Sequence, residues 1–526
     1  MDSVLRMRKP LKLVNLTIIS VLAASSLVAL SGPAAAKKAA APKITSNAPA
    51  PGAKRLHFKV GPFEILPGQN SIDFTRGIPQ PKVDGFVTAI RPDLRRADGT
   101  IPAVDVIHLH HGVWLNVSNK DATASTPERF FAAGEEKTAA ILPDGFGYPY
   151  KTTDRWLFNY MLHNLLAKKD VVWVTYDVDF IPASSKAGKS IIPARPIWMD
   201  IQNGGVYPVF DAQKGTGTDG VFTYPDQAVN PYPGKALNEW TVDRDMVLVA
   251  AGGHLHPGGL YNDLWLKRDG ATVPKGGAKP GSPDTAHLFR SNAVYYEPAG
   301  AVSWDVAMTV TPQNYRVDLK KGDVLQTTVA YDTAEASWYE SMGIMVVWAA
   351  DAADVKGRVT DPFTNVVRTK AVLTHGHLAE NNHHGGKPAP KDFVNALKLP
   401  NQVEQVTNIQ IENFVYARGD LTVADSVPTV KQGQSITFDN SIDAPLANGI
   451  WHTITACKAP CNRSTGVAYP RANADVQFDS GELGKAGPPT ANRLTWSTPS
   501  DLDTGTYTYF CRIHPSMRGA FRVVAQ

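Results

Sequence analysis

Short apolar runs, each bounded by Gly, Pro, Asp or Asn, recur along most of the chain. Runs of this length between turn residues are typical of strands in β-sandwiches and barrels. The clearest are Val104–Leu109, Val171–Phe180, Met246–Ala251, Ala301–Val310, Val324–Tyr331 and Gly343–Ala350. The segment Asp154–Ala167 fits either an amphipathic helix or a strand followed by a turn. The pattern as a whole predicts an all-β fold.

Two stretches with little apolar content divide these strands into groups. Residues 181–240 are rich in loop sequences, and residues 375–405 form a His-rich loop and linker. We therefore expect two tandem β-sandwich domains, at 56–200 and 201–374, and a third domain at 406–526. Five short strands are predicted in the third domain: Gln410–Val415, Ser435–Asp439, His452–Thr455, Arg493–Ser497 and Thr506–Phe510.

The N-terminus has the pattern of an export signal. Basic residues up to Lys12 precede the apolar stretch Leu13–Leu30, and Ala34–Ala36 supplies small residues for cleavage. We expect a signal peptide at 1–36 and an Ala/Pro/Lys linker at 37–55, and hence a secreted or periplasmic protein. The alternative is an uncleaved membrane anchor, because the apolar stretch is near the minimum length of a span. After cleavage no transmembrane span is expected.

Charge and cysteine content narrow the function classes. The net charge is only +4 over 526 residues, and no Lys/Arg run beyond the N-terminus indicates a nucleic-acid surface. Cys457 and Cys461 are close enough in sequence to form a disulfide in an oxidising compartment. Cys511 is then the odd cysteine, which suits a metal ligand.

The C-terminal run Cys511, His514 and Met517 combines a thiolate, an imidazole and a thioether at regular spacing. A trigonal set of two His and one Cys with a weak axial Met is the ligand set of blue copper. The nearest upstream histidine is His452, on a predicted strand. This domain resembles the cupredoxin family, in its short-loop plastocyanin or amicyanin type. The resemblance implies a Greek-key sandwich with type 1 copper on these four residues.

Other histidines cluster upstream, in three groups: His108, His110 and His111; His254 and His256; and His375, His377, His383 and His384. Residues i and i+2 of a strand point to the same face, so a His-x-His pair can offer two imidazoles to one ion. The first two groups therefore indicate metal binding. The third group is either an auxiliary copper site or a solvated Gly/His loop.

Residues 56–370 resemble the two-domain copper type II monooxygenases, such as peptidylglycine hydroxylase and dopamine β-monooxygenase. The resemblance implies jelly-roll-like sandwiches and two further mononuclear coppers, which face each other across an open cleft. The ligands it implies for the first copper are His110, His111 and His163. For the second, catalytic copper they are His254, His256 and Met342. It also implies O2, a small-molecule substrate, and a redox partner protein or small reductant.

Some of these assignments have alternatives. Neighbours on a regular strand point to opposite faces, so His110 and His111 can share an ion only at a strand end or bulge. His108 with His110 is the simpler same-face pair. A helical Asp154–Ala167 would make His163 a surface residue, and Met342 could simply fill the core.

The chain departs from the peptide-amidating enzymes at the positions that bind their substrate. Gly252 stands where a basic residue grips a carboxylate, and Ile344 and Val346 stand where polar residues hold the peptide. We therefore expect an uncharged substrate. The predicted function is an exported copper protein that joins a blue-copper electron-transfer domain to a dicopper monooxygenase-like module. The alternative is a non-enzymatic electron carrier with an N-terminal copper-storage or docking region. A multicopper oxidase is disfavoured, because Phe510 and Arg512 flank Cys511 where that class has His.

Overall fold

A computed structural model describes residues 42–104, 106–134, 136–201, 209–227, 237–296, 305–334, 336–378, 394–446, 449–458, 476–485, 493–514 and 517–526. Within these ranges the fold consists of β-strands and two 3₁₀ turns, Gly188–Ser190 and Ala396–Lys398, with no α-helix. The predicted all-β fold is confirmed. The predicted signal peptide lies outside the ranges, as do His383, His384 and Cys461. No helix of the described ranges has the length and hydropathy needed to cross a bilayer.

Ten strands between residues 54 and 193 form two sheets. They are β1 (Lys54–Ile65), β2 (Asn70–Arg76), β3 (Gly85–Arg95), β4 (Ile107–Lys120), β5 (Pro127–Gly134), β6 (Ala140–Ile141), β7 (Phe146–Tyr150), β8 (Trp156–Asn164), β9 (Asp170–Pro182) and β10 (Ile192–Pro193). One sheet has the order β1-β9-β3-β7-β10, with β6 on β3, and the other has the order β2-β8-β4-β5. Buried aromatic residues of both sheets, including Trp114 and Tyr176, share one core, as in a sandwich.

The segment Asp154–Ala167 forms a strand, so its helical interpretation is wrong. Strand β8 is paired on both sides, with β2 and with β4. Eight of its nine residues are buried, because a central strand covered on both faces needs no polar face. Six of the nine residues are apolar or aromatic, and their spacing also matches a helical period, which explains the ambiguity of the sequence.

The next fourteen strands form a 12-stranded sheet and a 2-stranded sheet, with antiparallel pairing throughout. They are β11 (Arg195–Asp200), β12 (Phe210–Ala212), β13 (Val221–Tyr224), β14 (Glu239–Thr241), β15 (Met246–Leu255), β16 (Gly259–Lys267), β17 (Ala278–Lys279), β18 (Ser282–Tyr295), β19 (Val306–Val310), β20 (Val317–Leu319), β21 (Val324–Asp332), β22 (Trp338–Ser341), β23 (Gly343–Asp351) and β24 (Val372–Leu373). The main path is β11-β23-β15-β19-β18-β16-β21-β13, and β12 pairs only with β22. Strands β15 and β23, which carry predicted site residues, lie side by side.

The last ten strands form two sheets of a third sandwich. They are β25 (Asn401–Gln405), β26 (Asn408–Glu412), β27 (Val415–Tyr416), β28 (Val427–Lys431), β29 (Thr437–Asp439), β30 (Thr455–Lys458), β31 (Phe478–Asp479), β32 (Thr495–Ser497), β33 (Gly505–Phe510) and β34 (Arg518–Val524). Their orders are β25-β28-β34-β33-β30-β31 and β27-β26-β29-β32. Sheet membership changes after β10 and after β24, and the exact domain boundaries stay predictions.

Buried contacts join the three groups of strands. One apolar cluster contains Val104 from the first group, Tyr331 and Trp338 from the second, and Phe510 from the third. The fully buried guanidinium of Arg129 on β5 contacts Asp200 of β11 at 3.0 Å. The metal-ligating residue types lie around this junction.

Candidate metal centre

The sulfur and nitrogen donors of the C-terminal motif converge in the third sandwich. Cys511 follows β33, and its Sγ lies 3.9 Å from Nδ1 of His452 and 3.6 Å from Nδ1 of His514. The two ring nitrogens are 3.1 Å apart. Met517 is buried in the same core as Cys511, and its N–H donates to the carbonyl of His514 at 2.9 Å. The structure thus brings together the four residues predicted from the sequence.

Surrounding groups favour the metal-binding form of the Cys511 side chain. Asp443 lies 2.9 Å from Nε2 of His452, which leaves Nδ1 toward the thiol. The backbone N–H groups of Thr453 and His514 each donate to Sγ of Cys511 at 3.3 Å. Burial alone would raise the pKa of the Cys511 thiol, but His452 and these N–H groups hold that pKa below its ordinary value. A thiolate is the form that binds metals.

The donor separations fit one shared ion. Donors held about 2.0–2.3 Å from a metal lie roughly 3.3–3.8 Å from one another. The three measured separations are close to this range. Two imidazoles and a thiolate with a buried thioether nearby form a donor set that suits copper.

A second group of donors forms where β4 pairs with β8. Ligand atoms of His108, His110 and His163 lie within 4.8 Å of one another, and all three residues are buried. His108 is directly opposite His163, and the register shifts between Leu109 and His111. The shift is a β-bulge, which inserts His110 as an extra residue. The group therefore lies at a bulge. A bulge and a strand end are the two places where the neighbours His110 and His111 could bind the same ion.

His111 lies beside this group without joining it. It is opposite Met161, two residues from His163, so the bulge turns His111 to the same face as His108. Its Nε2 is 3.0 Å from Oδ1 of Asn159, and its ring centroid is 6.4 Å from that of His110. The resemblance implied His110, His111 and His163 as ligands. In the structure it is His108, and not His111, that forms a group with His110 and His163.

The His-x-His pair at the end of β15 forms a third group. The rings of His254 and His256 are 5.2 Å apart and nearly perpendicular. Nδ1 of His256 lies 2.7 Å from the carbonyl oxygen of Glu340, whose φ of 52° is unusual for a residue other than glycine. Nε2 of His256 has no hydrogen-bond partner among the residues that the structure describes. That nitrogen is therefore available to a metal.

Met342 lies next to this pair. The last paired residues of the two strands are Leu255 and Gly343, so the next positions, His256 and Met342, are opposite each other. The Tyr331 hydroxyl accepts hydrogen bonds from the backbone N–H groups of both, at 3.0 and 3.2 Å, and donates to the Met342 carbonyl at 2.8 Å. This bridge fixes the thioether strand beside the histidine strand.

The three groups of donors touch one another through imidazole rings. The ring centroids of His110 and His256 are 4.5 Å apart, and those of His163 and His514 are 6.1 Å apart. The contact between the first pair differs from the open cleft that the resemblance implied. Burial lowers the pKa of all four imidazoles well below the ordinary value. Neutral imidazole is the form that binds metals.

Two pockets reach these rings from different sides. The first, of about 680 Å³ with its mouth included, is lined by His110, His163, His256, Trp338, Trp451, Glu340, Glu482 and Arg512, among others. The second, of about 660 Å³, ends at His254 and Glu136. Its walls are apolar and include Gly252, Ile344 and Val346. These are the three positions at which the sequence predicted an uncharged substrate.

Arg512 links the thiolate loop to the second sandwich. Its guanidinium donates to the carboxylate of Asp479 at 3.1 Å and to the carbonyl of Ser337 at 2.7 Å, and it lies 4.8 Å from the Trp338 ring. Neither this link nor Glu136 was predicted from the sequence. The only sequence signal for Arg512 was its position next to Cys511, and no sequence signal pointed to Glu136.

The third histidine group is partly described. Nε2 of His375 lies 2.6 Å from the carbonyl oxygen of Glu136, and Nδ1 of His377 contacts the carboxylate of Asp305. Both histidines thus have protein partners. Whether they also form an auxiliary copper site stays a prediction, as does the pairing of Cys457 with Cys461.

No protein-family model matches the chain, and no curated protein matches it. Among solved structures, PNGase F, a glycosylasparaginase from Flavobacterium meningosepticum, is 9% identical and has a TM-score of 0.28; the match covers 61% of this chain and 100% of that one. A multi-copper oxidase from Pediococcus acidilactici is 11% identical with a TM-score of 0.17, and the match covers 54% and 50% of the two chains. Similarity this low says nothing about the function of this chain.

Proposed function

We propose that the chain is an exported copper-dependent oxidoreductase that hydroxylates a C–H bond of an uncharged substrate with O2. In this proposal the third sandwich passes electrons, one at a time, from an external reductant (a redox partner protein or a small reductant), and the histidine groups of the first two sandwiches form the reaction centre. Hydroxylation of this kind consumes O2, two electrons and two protons, and it yields the alcohol and water. Bound copper would supply the one-electron redox chemistry and the activation of O2.

The contact between His163 and His514 carries this proposal. Each ring belongs to a different donor group, and their centroids are 6.1 Å apart. An electron that passes from the thiolate group to the three-imidazole group therefore has to cross no residue between the two rings. The ring of His110, which contacts His256, extends the same path toward the apolar pocket.

The protein's own contribution is to hold the imidazoles in place and exclude water. His108, His110, His163, His254 and His256 each expose less than a tenth of their surface. The apolar pocket has Glu136 as its only charged lining residue among those described. An uncharged molecule would enter such a pocket without losing the hydration of a charge.

Copper content and oxygen uptake test the proposal. We expect about three coppers per chain, a strong visible thiolate-to-copper band, and oxygen uptake that scales with copper content. Cys511→Ser should remove the band and the turnover supported by a protein donor, while the other two coppers stay bound. One copper per chain without oxygen uptake would contradict the proposal and indicate an electron carrier.

A matched pair of methionine variants tests the reaction centre. Met342 and Met345 are both buried, but only Met342 lies opposite His256. Because a thioether favours Cu(I), Met342→Leu should slow hydroxylation and weaken binding of the reduced ion. Met345→Leu, a volume-conserving core change, should leave both unchanged. Equal effects of the two substitutions would rule out a role for Met342.

A further inference from the structure

A carboxylate lies beside one histidine of the His-x-His pair. Glu136 follows β5, has no exposed surface, and places Oε1 3.0 Å from Nδ1 of His254. The backbone N–H of Gly134 donates to the same oxygen at 3.0 Å. A buried carboxylate is costly unless charged or hydrogen-bonding groups compensate it. The position of Glu136 therefore requires an explanation beyond packing.

Close packing surrounds the loop that carries the carboxylate. A Cβ on Gly134 would lie 2.8 Å from Oε2 of Glu136 and 2.9 Å from Cε1 of His254. The absence of a side chain at Gly134 thus lets the carboxylate and the imidazole meet. On the other side, Nε2 of His375 lies 2.6 Å from the carbonyl oxygen of Glu136. The loop from β5 is therefore anchored where it passes the His-x-His pair.

Both histidines of the pair have an oxygen close to Nδ1. For His256 it is the Glu340 carbonyl, which accepts a hydrogen bond at 2.7 Å, and for His254 it is Oε1 of Glu136, which lies at an ion-pair distance of 3.0 Å outside hydrogen-bond geometry. In the third sandwich, Asp443 forms a hydrogen bond with His452 at the opposite ring nitrogen. Histidines that bind metals usually donate their other ring N–H to a carboxylate or carbonyl, which fixes the tautomer and the ring orientation.

We propose that Glu136 is a positioning residue that keeps the proton of His254 on Nδ1 and thereby leaves Nε2 for the metal. A cation on the far side of the imidazole also compensates the buried carboxylate. Oε1 of Glu136 has the Gly134 N–H and His254 as neighbours, whereas Oε2 has no hydrogen-bond partner among the described residues. The inference rests on the proposed function only in taking His254 as a metal ligand.

Copper titration of Glu136 variants tests the inference without any turnover assay. The variants are made in a Cys511→Ser background, so that the blue-copper signal does not overlap the paramagnetic resonance spectrum of the remaining copper. Loss of a partner of this kind costs about 10–100-fold in metal affinity. We expect Glu136→Ala to weaken copper binding by that factor and to change the spectrum. Glu136→Gln, which keeps an acceptor oxygen, should restore most of the affinity, and Glu136→Asp is a second test if the Gln variant misfolds.

Two reference variants make each outcome decisive. Glu128→Ala removes a carboxylate of β5, the strand that precedes Glu136; this carboxylate accepts from Tyr148 and Asn119, and its removal should leave copper affinity unchanged. His254→Ala removes the ligand itself. Unchanged copper affinity and an unchanged spectrum in Glu136→Ala would overturn the inference. A loss of copper affinity in Glu136→Gln as large as that in His254→Ala would also overturn it, because Glu136 would then be a ligand. If His254→Ala binds as much copper as its parent, the proposed reaction centre fails as well.

Discussion

Alanine substitutions at His108 and His111 separate the two possible ligand sets of the first sandwich. Both side chains are buried on the same face of β4, on either side of the bulge. Burial lowers the pKa of His108 to about 4 and that of His111 to about 3, so both rings are neutral at pH 7. Protonation therefore cannot distinguish them as ligands, and only their geometry can.

The two substitutions should cost similar stability. His108→Ala removes the contact of Nδ1 with the Val104 carbonyl at 2.8 Å, and His111→Ala removes the contact of Nε2 with Asn159 at 3.0 Å. Each leaves a buried acceptor without that partner, which costs about 1–3 kcal/mol. The expected loss of unfolding free energy in the copper-free protein is therefore about equal.

Copper content should differ between the same two variants. His108 has its ligand atom within 4.8 Å of those of His110 and His163, and His111 does not belong to that group. We expect His108→Ala to lose one copper per chain and His111→Ala to keep it. Urea denaturation of the copper-free variants and metal analysis of the loaded ones check both parts. Loss of copper in His111→Ala with retention in His108→Ala would refute the reasoning and restore the ligand set implied by the family resemblance.

Three further outcomes are expected. Arg129→Met should lower the unfolding free energy by about 3–5 kcal/mol in urea denaturation, because Asp121 and Asp200 would stay buried without their partner. Copper at 100 times its dissociation constant should stabilise the fold by about 2.7 kcal/mol per site, seen as a rise in Tm that a chelator reverses. Gly252→Leu should exclude an uncharged apolar fluorophore from the second pocket without changing copper content, because a Cβ there already lies 2.9 Å from the Val310 side chain.

The thiolate group was predictable because its pattern is local. Cys511, His514 and Met517 share one short loop after β33, so their spacing alone limits how far apart they can lie. His452 required only the assumption that its strand pairs with β33. Strand β30, which begins at Thr455 just after His452, does pair with it. Short loops and neighbouring strands leave few alternatives, so this part of the site follows from sequence.

The other donor groups depend on features that no sequence pattern specifies. Same-face spacing offered His108 with His110 and the resemblance offered His111, and the residues themselves carry no signature of the one-residue register shift after Leu109 that would have decided between them. Glu136 is one of two adjacent glutamates in a Gly-Glu-Glu-Lys run that has no metal-site spacing, and it meets His254 only because β5 and β15 belong to sandwiches that pack together. Such contacts arise from tertiary packing.

The contact between His163 and His514 has a consequence for electron entry. Only 1% of the His514 surface is exposed, because the ring packs against His163 and against Phe414, at centroid distances of 6.1 and 4.9 Å. A separate donor protein therefore cannot touch this imidazole directly. In the proposed function the ring instead faces the three-imidazole group of the same chain, which would accept the electron. In the proposed function an external donor must therefore approach the thiolate group from another surface. Substitutions at His163 that remove its contact with His514 should slow electron transfer between the two donor groups. They should leave unchanged the rate at which an external donor reduces the copper at Cys511.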